Sequence, residues 1–347
     1  MGNFLSLVAA ENTKLWKRPS TRIMPLILVA VVIGLCGLIK VETSMIESGS
    51  VNVTTGQIQS QAVPGGWRKS LELRNKVLQA SIDTAEKSDR QIDKNQIDTE
   101  KMQVAKNRYY LDQNQRPDNI NDDGSSNNKY NNNYWQTVMS AGMGSLVALF
   151  AIIACTALVA GEFSEGTMKT MISRPFLRWQ ILTAKLVVIL SYTVFLSIIS
   201  YAASLGAIAA FFGTGGAGNS VLLWINGSIV AMPGFGASLL AALLDLLATI
   251  VYLFLTFCLS AVSRSRSLAT GLSIFLMFGG SFTSLIADNF GWGKLIFFAD
   301  TGFSSFLSTG APFYGITLSM ALIICGVYCA VFLASSYFAF SHRDIAG

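Results

Sequence analysis

Long uncharged apolar runs, separated by short polar stretches, dominate this chain. A helix needs about 20 mostly apolar residues to cross a hydrocarbon core of about 30 Å. Six runs approach or exceed that length, and each predicts a membrane span: residues 23–39, 134–160, 182–212, 236–262, 268–287 and 312–340. The pattern therefore predicts an all-α polytopic membrane protein with six transmembrane helices.

Residues 2–18, which precede the first run, have an amphipathic pattern. Their large apolar side chains fall close to one helical face: Phe4, Leu5, Val8, Leu15 and Trp16. Basic residues cluster at the end of the segment, where they would lie near lipid headgroups. The pattern predicts a helix in the membrane interface, and a frayed polar tail is the alternative.

The segment between the first two runs, residues 41–133, is polar and highly charged. Leu71, Leu78, Ala85 and Ile92 recur every seven residues, but the other heptad core positions are polar, which favours a solvated helix or helical hairpin over a coiled coil. An Asn-rich loop is expected to follow. We therefore divide the chain into residues 1–40, the insertion 41–133, and the spans of 134–347.

Two further segments between spans are not plain loops. Residues 213–235 begin with a glycine-rich stretch and continue with an apolar patch at 221–225. Residues 288–311 are rich in aromatic side chains and interrupted by glycines. This composition predicts short re-entrant helices that dip into the outer membrane interface between spans five and six.

Composition agrees with the membrane class, since 52% of the residues are hydrophobic and 13% are charged, against about 25% charged in soluble domains. Every cysteine lies in an apolar run, and the spacings of metal sites are missing. The single histidine, His342, lies near the end of the chain. We therefore predict no catalytic residues, no metal site and no enzyme activity in this chain.

The distribution of basic residues predicts the orientation, because short cytoplasmic loops carry an excess of Lys and Arg. On one side of the membrane, the short loops contain only Lys40 and Lys294 as basic residues. The other side collects Lys14, Lys17, Arg18, Arg22, Lys169, Arg174, Arg178, Lys185, Arg264, Arg266 and Arg343. Both termini are thus predicted to be cytoplasmic and the insertion 41–133 extracellular, in a multi-pass protein of the plasma membrane.

The polar segment 161–181 joins the second and third spans on the predicted cytoplasmic side. It has the glycine spacing of a phosphate loop, but Thr167 stands where a lysine is needed and Met168 where Ser or Thr is needed. Glu162 near the start of a short predicted helix and Lys169 near its end suit the helix dipole. The residues alone favour a docking element and an ordinary positive-inside loop about equally.

A resemblance bears on this choice. The segment is similar to the coupling segment of type-2 ABC exporter permeases in the following residues: Glu162, Phe163, Gly166, Thr167, Met168, Lys169, Arg174, Pro175 and Arg178. The interfacial helix, the six spans and the outer helices also resemble that family. The long insertion 41–133 is larger than in minimal members, and resembles a subset linked to efflux of antimicrobial peptides, other toxic compounds or sodium.

The resemblance implies an exporter permease that encloses a path as a dimer, with a second copy or a related permease. Two separate ABC ATPase subunits would bind ATP and Mg, so no cofactor is expected in this chain. Membrane lipid is the other expected partner, and nucleic acid is not expected. The substrate class is an antimicrobial peptide, another toxic compound or lipid. Alternatives are an efflux permease for sodium or another cation, and a membrane-anchored sensor that does not transport.

One acidic residue, Asp245, lies well inside a predicted span. A central Asp opposes insertion by about 3 kcal/mol, which the surrounding apolar residues outweigh. Three interpretations stay open: Asp245 lines a polar translocation path, with Tyr252 as a second candidate; Asp245 coordinates a cation; or Asp245 makes a structural hydrogen bond near Tyr252 or a serine of the third span.

Overall fold

The computed structural model of the 347-residue chain is mostly helical. It describes the following residues: 4–47, 64–87, 97–117, 120–125, 134–140, 144–164, 176–225, 227–263, 265–287, 295–297, 301–310 and 315–342. In chain order these contain α1 (Phe4–Lys17), α2 (Pro19–Glu47), α3 (Gly66–Glu86), α4 (Ile97–Asp112), α5 (Tyr134–Ser140), α6 (Gly144–Leu158), α7 (Ala160–Ser164), α8 (Arg178–Phe212), β1 (Ser220–Ile225), β2 (Ser228–Pro233), α9 (Gly234–Ser263), α10 (Arg266–Ala287), α11 (Phe303–Ser308) and α12 (Leu318–His342).

Five helical segments are long and apolar enough to cross a membrane, among the described residues. They are Pro19–Met45, Tyr134–Phe163, Arg178–Phe212, Gly234–Ser263 and Leu318–Ser341. These coincide with five of the six predicted spans. The remaining one falls on α10, a helix of 22 residues, within which Arg266–Gly279 is a shorter apolar helix.

The bundle is organised around α9, which packs against α6, α8, α10 and α12. Its contacts are apolar at most positions, and Phe257 and Leu253 are completely buried in the core. Large apolar side chains on the outer helices are exposed instead, among them Leu26, Ile198 and Ile323. A bundle that faces lipid requires an apolar surface of this kind, because lipid chains offer no hydrogen-bond partners to polar side chains.

Helix α1 is ordered and packs against α8, which decides against the alternative of a frayed tail. Its buried residues are Leu7, Glu11 and Leu15, spaced four apart on one face. The predicted apolar face is partly wrong, because Leu5 is 77% exposed. The face of α1 that packs against the protein is therefore offset by about one residue from the most apolar face of the helix.

Among the described residues the insertion contains two helices, α3 and α4, that pack against each other; the sequence had left a solvated helix and a helical hairpin open. Ile82, Ile97 and Val104 form its buried apolar contact, while the polar heptad position Asn75 accepts a hydrogen bond from Asn107 Nδ2 at 2.8 Å. Ile92 of the predicted heptad lies outside the described residues.

Helix α4 also contacts the segment around α11. Lys106 Nζ donates to the Ser308 carbonyl at 3.2 Å, and Thr99 Oγ1 donates to the Thr309 carbonyl at 3.1 Å. Burial raises the pKa of the Asp98 carboxyl, although the Gly315 backbone N–H and Lys101 oppose that shift. The insertion is therefore held against the bundle by several polar contacts.

Strands β1 and β2 form an antiparallel hairpin, with Val221 opposite Met232 and Leu223 opposite Val230. The prediction of helices alone did not anticipate it. The signal was present in the sequence, since Val221 and Leu223 alternate with more exposed positions and Asn226-Gly227 is the strongest short-range hairpin signal. Gly227 adopts a φ of 86°, which glycine tolerates without strain.

In the segment 288–311, the structure describes residues 295–297 and 301–310. The latter contain α11, a helix of six residues whose Phe303, Phe306 and Leu307 are buried. A short apolar helix was predicted in this segment.

Trp135 of α5 locks the start of α9. Its indole Nε1 donates to the Ala217 carbonyl at 2.7 Å, and a Cβ atom added at Gly234 would lie 1.9 Å from Trp135 Cδ1. The glycine thus permits an approach that no other residue allows.

We predict that Gly234→Ala lowers the stability of the full chain by about 1–3 kcal/mol, because the added methyl overpacks the Trp135 contact. The matched control is Gly236→Ala, where an added Cβ would meet only Met232 at 3.6 Å. Thermal unfolding of the purified protein in detergent measures both. Equal melting temperatures for the two variants would contradict the close packing.

Candidate functional site

The predicted coupling segment 161–181 is described at its two ends, 161–164 and 176–181. Its central residues lie outside the described residues: Gly166, Thr167, Met168, Lys169, Arg174 and Pro175. Three of the predicted site residues, Glu162, Phe163 and Arg178, are placed by the structure. The geometry of the site is therefore that of the two flanks.

Glu162 lies on α7 and is only 3% exposed. Its Oε1 lies 3.1 Å from Lys14 Nζ of α1, and its Oε2 lies 2.7 Å from Lys185 Nζ of α8. The carboxylate of Glu162 thus contacts the protein interior. Glu162 therefore holds the start of the segment against α1 and α8 and does not present its charge on the surface.

A second carboxylate completes this arrangement. Glu11 of α1 has no exposed surface, and its oxygens lie 2.7 Å from Lys185 Nζ and 2.6 Å from Lys14 Nζ. Lys185 is also fully buried. Glu11, Lys14, Glu162 and Lys185 form what we call the ion-pair cluster, with two charges of each sign.

Charge balance explains why such a cluster is tolerated in the interior. An isolated buried charge costs several kcal/mol in lost hydration, and pairing with further hydrogen bonds offsets this loss. Burial alone would raise the pKa of Glu11, but the attraction of Lys185 and the hydrogen bonds from Lys14 and Lys185 lower it below 4.5. Burial alone would lower the pKa of Lys14, but the hydrogen bonds and the attraction of Glu11 and Glu162 outweigh burial and raise that pKa above 10.5.

The cluster is extended by cations at the C-terminus of α6. Arg18 Nη1 donates to the Ala157 carbonyl at 2.7 Å, and Lys185 Nζ donates to the Leu158 carbonyl at 3.1 Å. The last carbonyls of a helix lack partners within the helix and carry a partial negative charge. Both cations therefore stabilise the point at which the second span ends and the coupling segment begins.

Both flanks of the segment contact the end of α12. The rings of Phe163 and Phe340 meet edge to face, with centroids 6.1 Å apart. On the other flank, Arg178 Nη1 donates to the Ser341 carbonyl at 3.3 Å. The two ends of the coupling segment are thus fastened to the same helix terminus.

Asp245 lies in a different region of the bundle, where it lines a cavity of about 50 Å³ between α5, α6, α8 and α9. The polar residues around the cavity carry oxygen atoms only: Ser197, Ser200, Tyr201, Ser204, Ser238, Asp245 and Thr249. A Cβ added at Gly144 would lie 3.1 Å from Asp245 Cβ, so α6 approaches the carboxylate closely. Asp245 therefore shares this cavity with Ser197, Ser200 and Ser204 of α8.

Tyr252 is separated from this cavity. Its hydroxyl hydrogen-bonds with Thr301 Oγ1 at 2.9 Å, and its ring packs with Ala148, Ile152 and Met277. Asp245 and Tyr252 lie two helical turns apart, close to one face of α9, and both bond to the segment 301–310: Asp245 to Ser304 and Tyr252 to Thr301.

Comparisons with known proteins assign the chain to a family. A family model described as "Protein of unknown function (DUF2705)" matches residues 110–346, which is more than half of the chain. This chain belongs to the DUF2705 family. The matched part contains Glu162, Lys185 and Asp245, whereas Glu11 and Lys14 precede it.

Two relatives from Bacillus subtilis (strain 168) are similar to this DUF2705 protein. "Uncharacterized protein YhcI" is 29% identical over 346 residues, which cover 99% of each chain. "Uncharacterized membrane protein YdbK" is 27% identical over 203 residues, which cover 58% of this chain and 78% of that protein. The second name agrees with the apolar helices of this DUF2705 protein, and membrane localisation follows from both.

Sequence reasoning missed the functional pairing of Glu11 and Lys185. Lys185 served there only as a basic residue that indicates orientation, and Glu11 was not singled out. A signal did exist, because Glu11 lies three residues before Lys14 on a helical face and Lys185 follows Leu182 within an apolar run. The partners themselves are distant in the chain, so only packing reveals them.

We predict that Lys185→Met destabilises the protein by about 3–5 kcal/mol, because it leaves two buried carboxylates with one cation. The matched control is Lys101→Met, which removes an exposed ion pair with Glu86 and should change stability by about 0–1 kcal/mol. Thermal unfolding in detergent measures the difference. The double variant Glu11→Gln with Lys185→Met restores the charge balance and should be less destabilised than the sum of the single changes. A strictly additive result would contradict the proposed coupling.

We further predict a dependence on acid. Because the pKa of Glu11 is lowered from 4.5 in the folded protein, its ionised form contributes stability above that pH, and the contribution is lost as pH falls through the lower folded value. The wild type should therefore lose more stability below pH 4.5 than Glu11→Gln does. Melting temperatures measured from neutral pH downward test this, with Glu86→Gln expected to follow the wild type. Parallel acid profiles for Glu11→Gln and the wild type would be inconsistent with a paired Glu11.

Proposed function

We propose that this protein is the transmembrane permease subunit of an ATP-driven exporter of the type-2 ABC class. In this proposal α10 is the fifth of six spans, both termini are cytoplasmic and the insertion 41–133 is extracellular. Two copies, or this chain and a related permease, enclose the path. Two separate ATPase subunits bind ATP and Mg and contact the coupling segment 161–181.

The ion-pair cluster is the observation that carries the proposal. It joins α1 to both spans that flank the segment, through Glu162 at 3.1 Å from Lys14 and Lys185 at 2.7 Å from Glu11. A segment pushed by a partner transmits force only if its ends are rigidly attached to the spans, because packed elements move as units between discrete arrangements. An ordinary connecting loop has no need of buried charges at its ends.

The proposed roles of the segment residues follow from their positions. Glu162, Phe163 and Arg178 hold the flanks to α1, α8 and α12. The residues between them are left to meet the ATPase, with Met168 as an apolar contact and Lys169 as a charged one. Gly166, Thr167, Arg174 and Pro175 shape the turn at each end of the contact helix. The proposed substrate is an antimicrobial peptide, another toxic compound or lipid.

We predict that Met168→Asp reduces association with the ATPase by about 30-fold or more, since a buried apolar anchor at an interface contributes at least about 2 kcal/mol. The full chain is co-expressed with a candidate P-loop ATPase, sought among the products of neighbouring genes, and purified by affinity. Retained ATPase and the stimulation of ATP hydrolysis are measured. Met45→Asp, at an exposed position near the distant end of α2, is the matched control.

The competing functions give different results in this experiment. Loss of ATPase association in Met168→Asp but not in Met45→Asp supports the coupling role. Unchanged association and hydrolysis in Met168→Asp would refute it. A P-loop partner that never associates with the wild type would favour a membrane-anchored sensor, whereas export of a cation by an intact complex would replace the proposed substrate class.

A further inference from the structure

We propose that the cavity beside Asp245 binds a monovalent alkali cation. The residues that carry the proposal are Asp245, Ser200, Tyr201 and Ser238, all of which line the cavity. Binding at this site is independent of the ATPase, whereas any part that the cation plays in transport rests on the proposed function.

In its ionised form, Asp245 requires a positive partner or water within the membrane. Among the described residues that line the cavity, none is Lys, Arg or His, and Ser304 supplies a neutral hydrogen bond to the carboxyl group. Ionised carboxylates inside membrane spans pair with a cation or face water, because lipid solvates no charge. A single ionised carboxylate without a basic neighbour is neutralised by one positive charge that comes from outside the chain.

The size of the cavity limits what that charge belongs to. A volume of about 50 Å³ accommodates about three to five water-sized species at 10–15 Å³ each. Organic ligands occupy sites of about 300–1,000 Å³ and are therefore too large. A single ion with one or two of its waters fits.

The chemistry of the lining selects the kind of ion. The acidic and hydroxyl side chains that line the described cavity all offer oxygen, with the Met139 thioether as the one sulfur atom and no imidazole among them. Oxygen ligands suit hard cations over transition metals. The described residues contain no group of three or more His, Cys, Asp and Glu side chains arranged for a metal ion. Divalent cations such as Ca²⁺ usually require several carboxylates, so a single Asp favours a monovalent ion.

The hydroxyls have capacity left for an ion. Tyr201 and Ser238 hydrogen-bond to each other at 2.9 Å, and Ser204 donates to the Ser200 carbonyl. Each hydroxyl oxygen has two lone pairs, so an oxygen that already donates a proton still accepts a cation. Ser200 and Ser238 are 4% and 1% exposed, which keeps these oxygens out of contact with lipid.

The test measures sodium binding to the purified full chain alone, reconstituted in nanodiscs without any ATPase. Saturable uptake of radioactive Na⁺ is measured by equilibrium dialysis, with choline at equal ionic strength as the reference ion. We expect one site per chain, and a melting temperature that rises with Na⁺ but not with choline, since a ligand that binds only the folded state stabilises it. Absence of saturable Na⁺ binding, or equal stabilisation by choline, would overturn the proposal.

Two variants locate the site. Asp245→Asn should weaken Na⁺ binding by about tenfold or more, because it removes the one charged oxygen among the described residues that line the cavity. Removal of this charge favours membrane insertion, so the variant is expected to fold. Ser200→Ala should weaken binding by a smaller factor, and its matched control on the same helix is Ser191→Ala, at an exposed position whose hydroxyl donates to the Val188 carbonyl.

These variants separate the cation site from the exporter proposal. Wild-type Na⁺ affinity in Asp245→Asn, or equal effects of Ser200→Ala and Ser191→Ala, would exclude this cavity as the site. A protein that binds Na⁺ as expected but never associates with an ATPase would retain the cation site and lose the exporter function.

Discussion

Pairing of buried charges is the interaction on which the α1 end of this bundle depends. Lys185 lies on the apolar helix α8, and its side chain has no exposed surface. Its charge therefore needs carboxylates from the elements that pack against α8. Glu11 and Glu162 supply them from two other elements. Because loss of Lys185 leaves two buried carboxylates with only Lys14 beside them, this lysine couples the packing of α1, α7 and α8.

This constraint gives α1 a structural role beyond that of an interfacial helix. An amphipathic helix that rests on lipid alone is free to slide and rotate in the interface. Here the buried face carries Glu11 between Leu7 and Leu15, and the two lysines fix its rotation. Arg18 adds a contact with the Ala157 carbonyl, which relates the start of the first span to the end of the second.

Helix α8 connects the two regions of interest. Lys185 of the ion-pair cluster and Ser200 of the cavity lie on this one helix, and 15 residues at 1.5 Å each separate them by about 22 Å. A regular helix of this kind transmits a displacement along its axis with little deformation, since its backbone hydrogen bonds resist stretching. The proposed input at the coupling segment and the proposed cation site are therefore mechanically linked.

The sequence by itself determined the membrane class, five apolar helices long enough to cross a membrane, and the helical character of the insertion, because these follow from the length and period of apolar runs. The hairpin of β1 and β2 was also encoded locally, in alternating residues and Asn226-Gly227. Only the tertiary structure decided that Glu162 is buried, that its partners are Lys14 and Lys185, and that Asp245 but not Tyr252 lines the described cavity. Charge partners far apart in the chain meet through helix packing, and no local pattern specifies which faces of two helices come together.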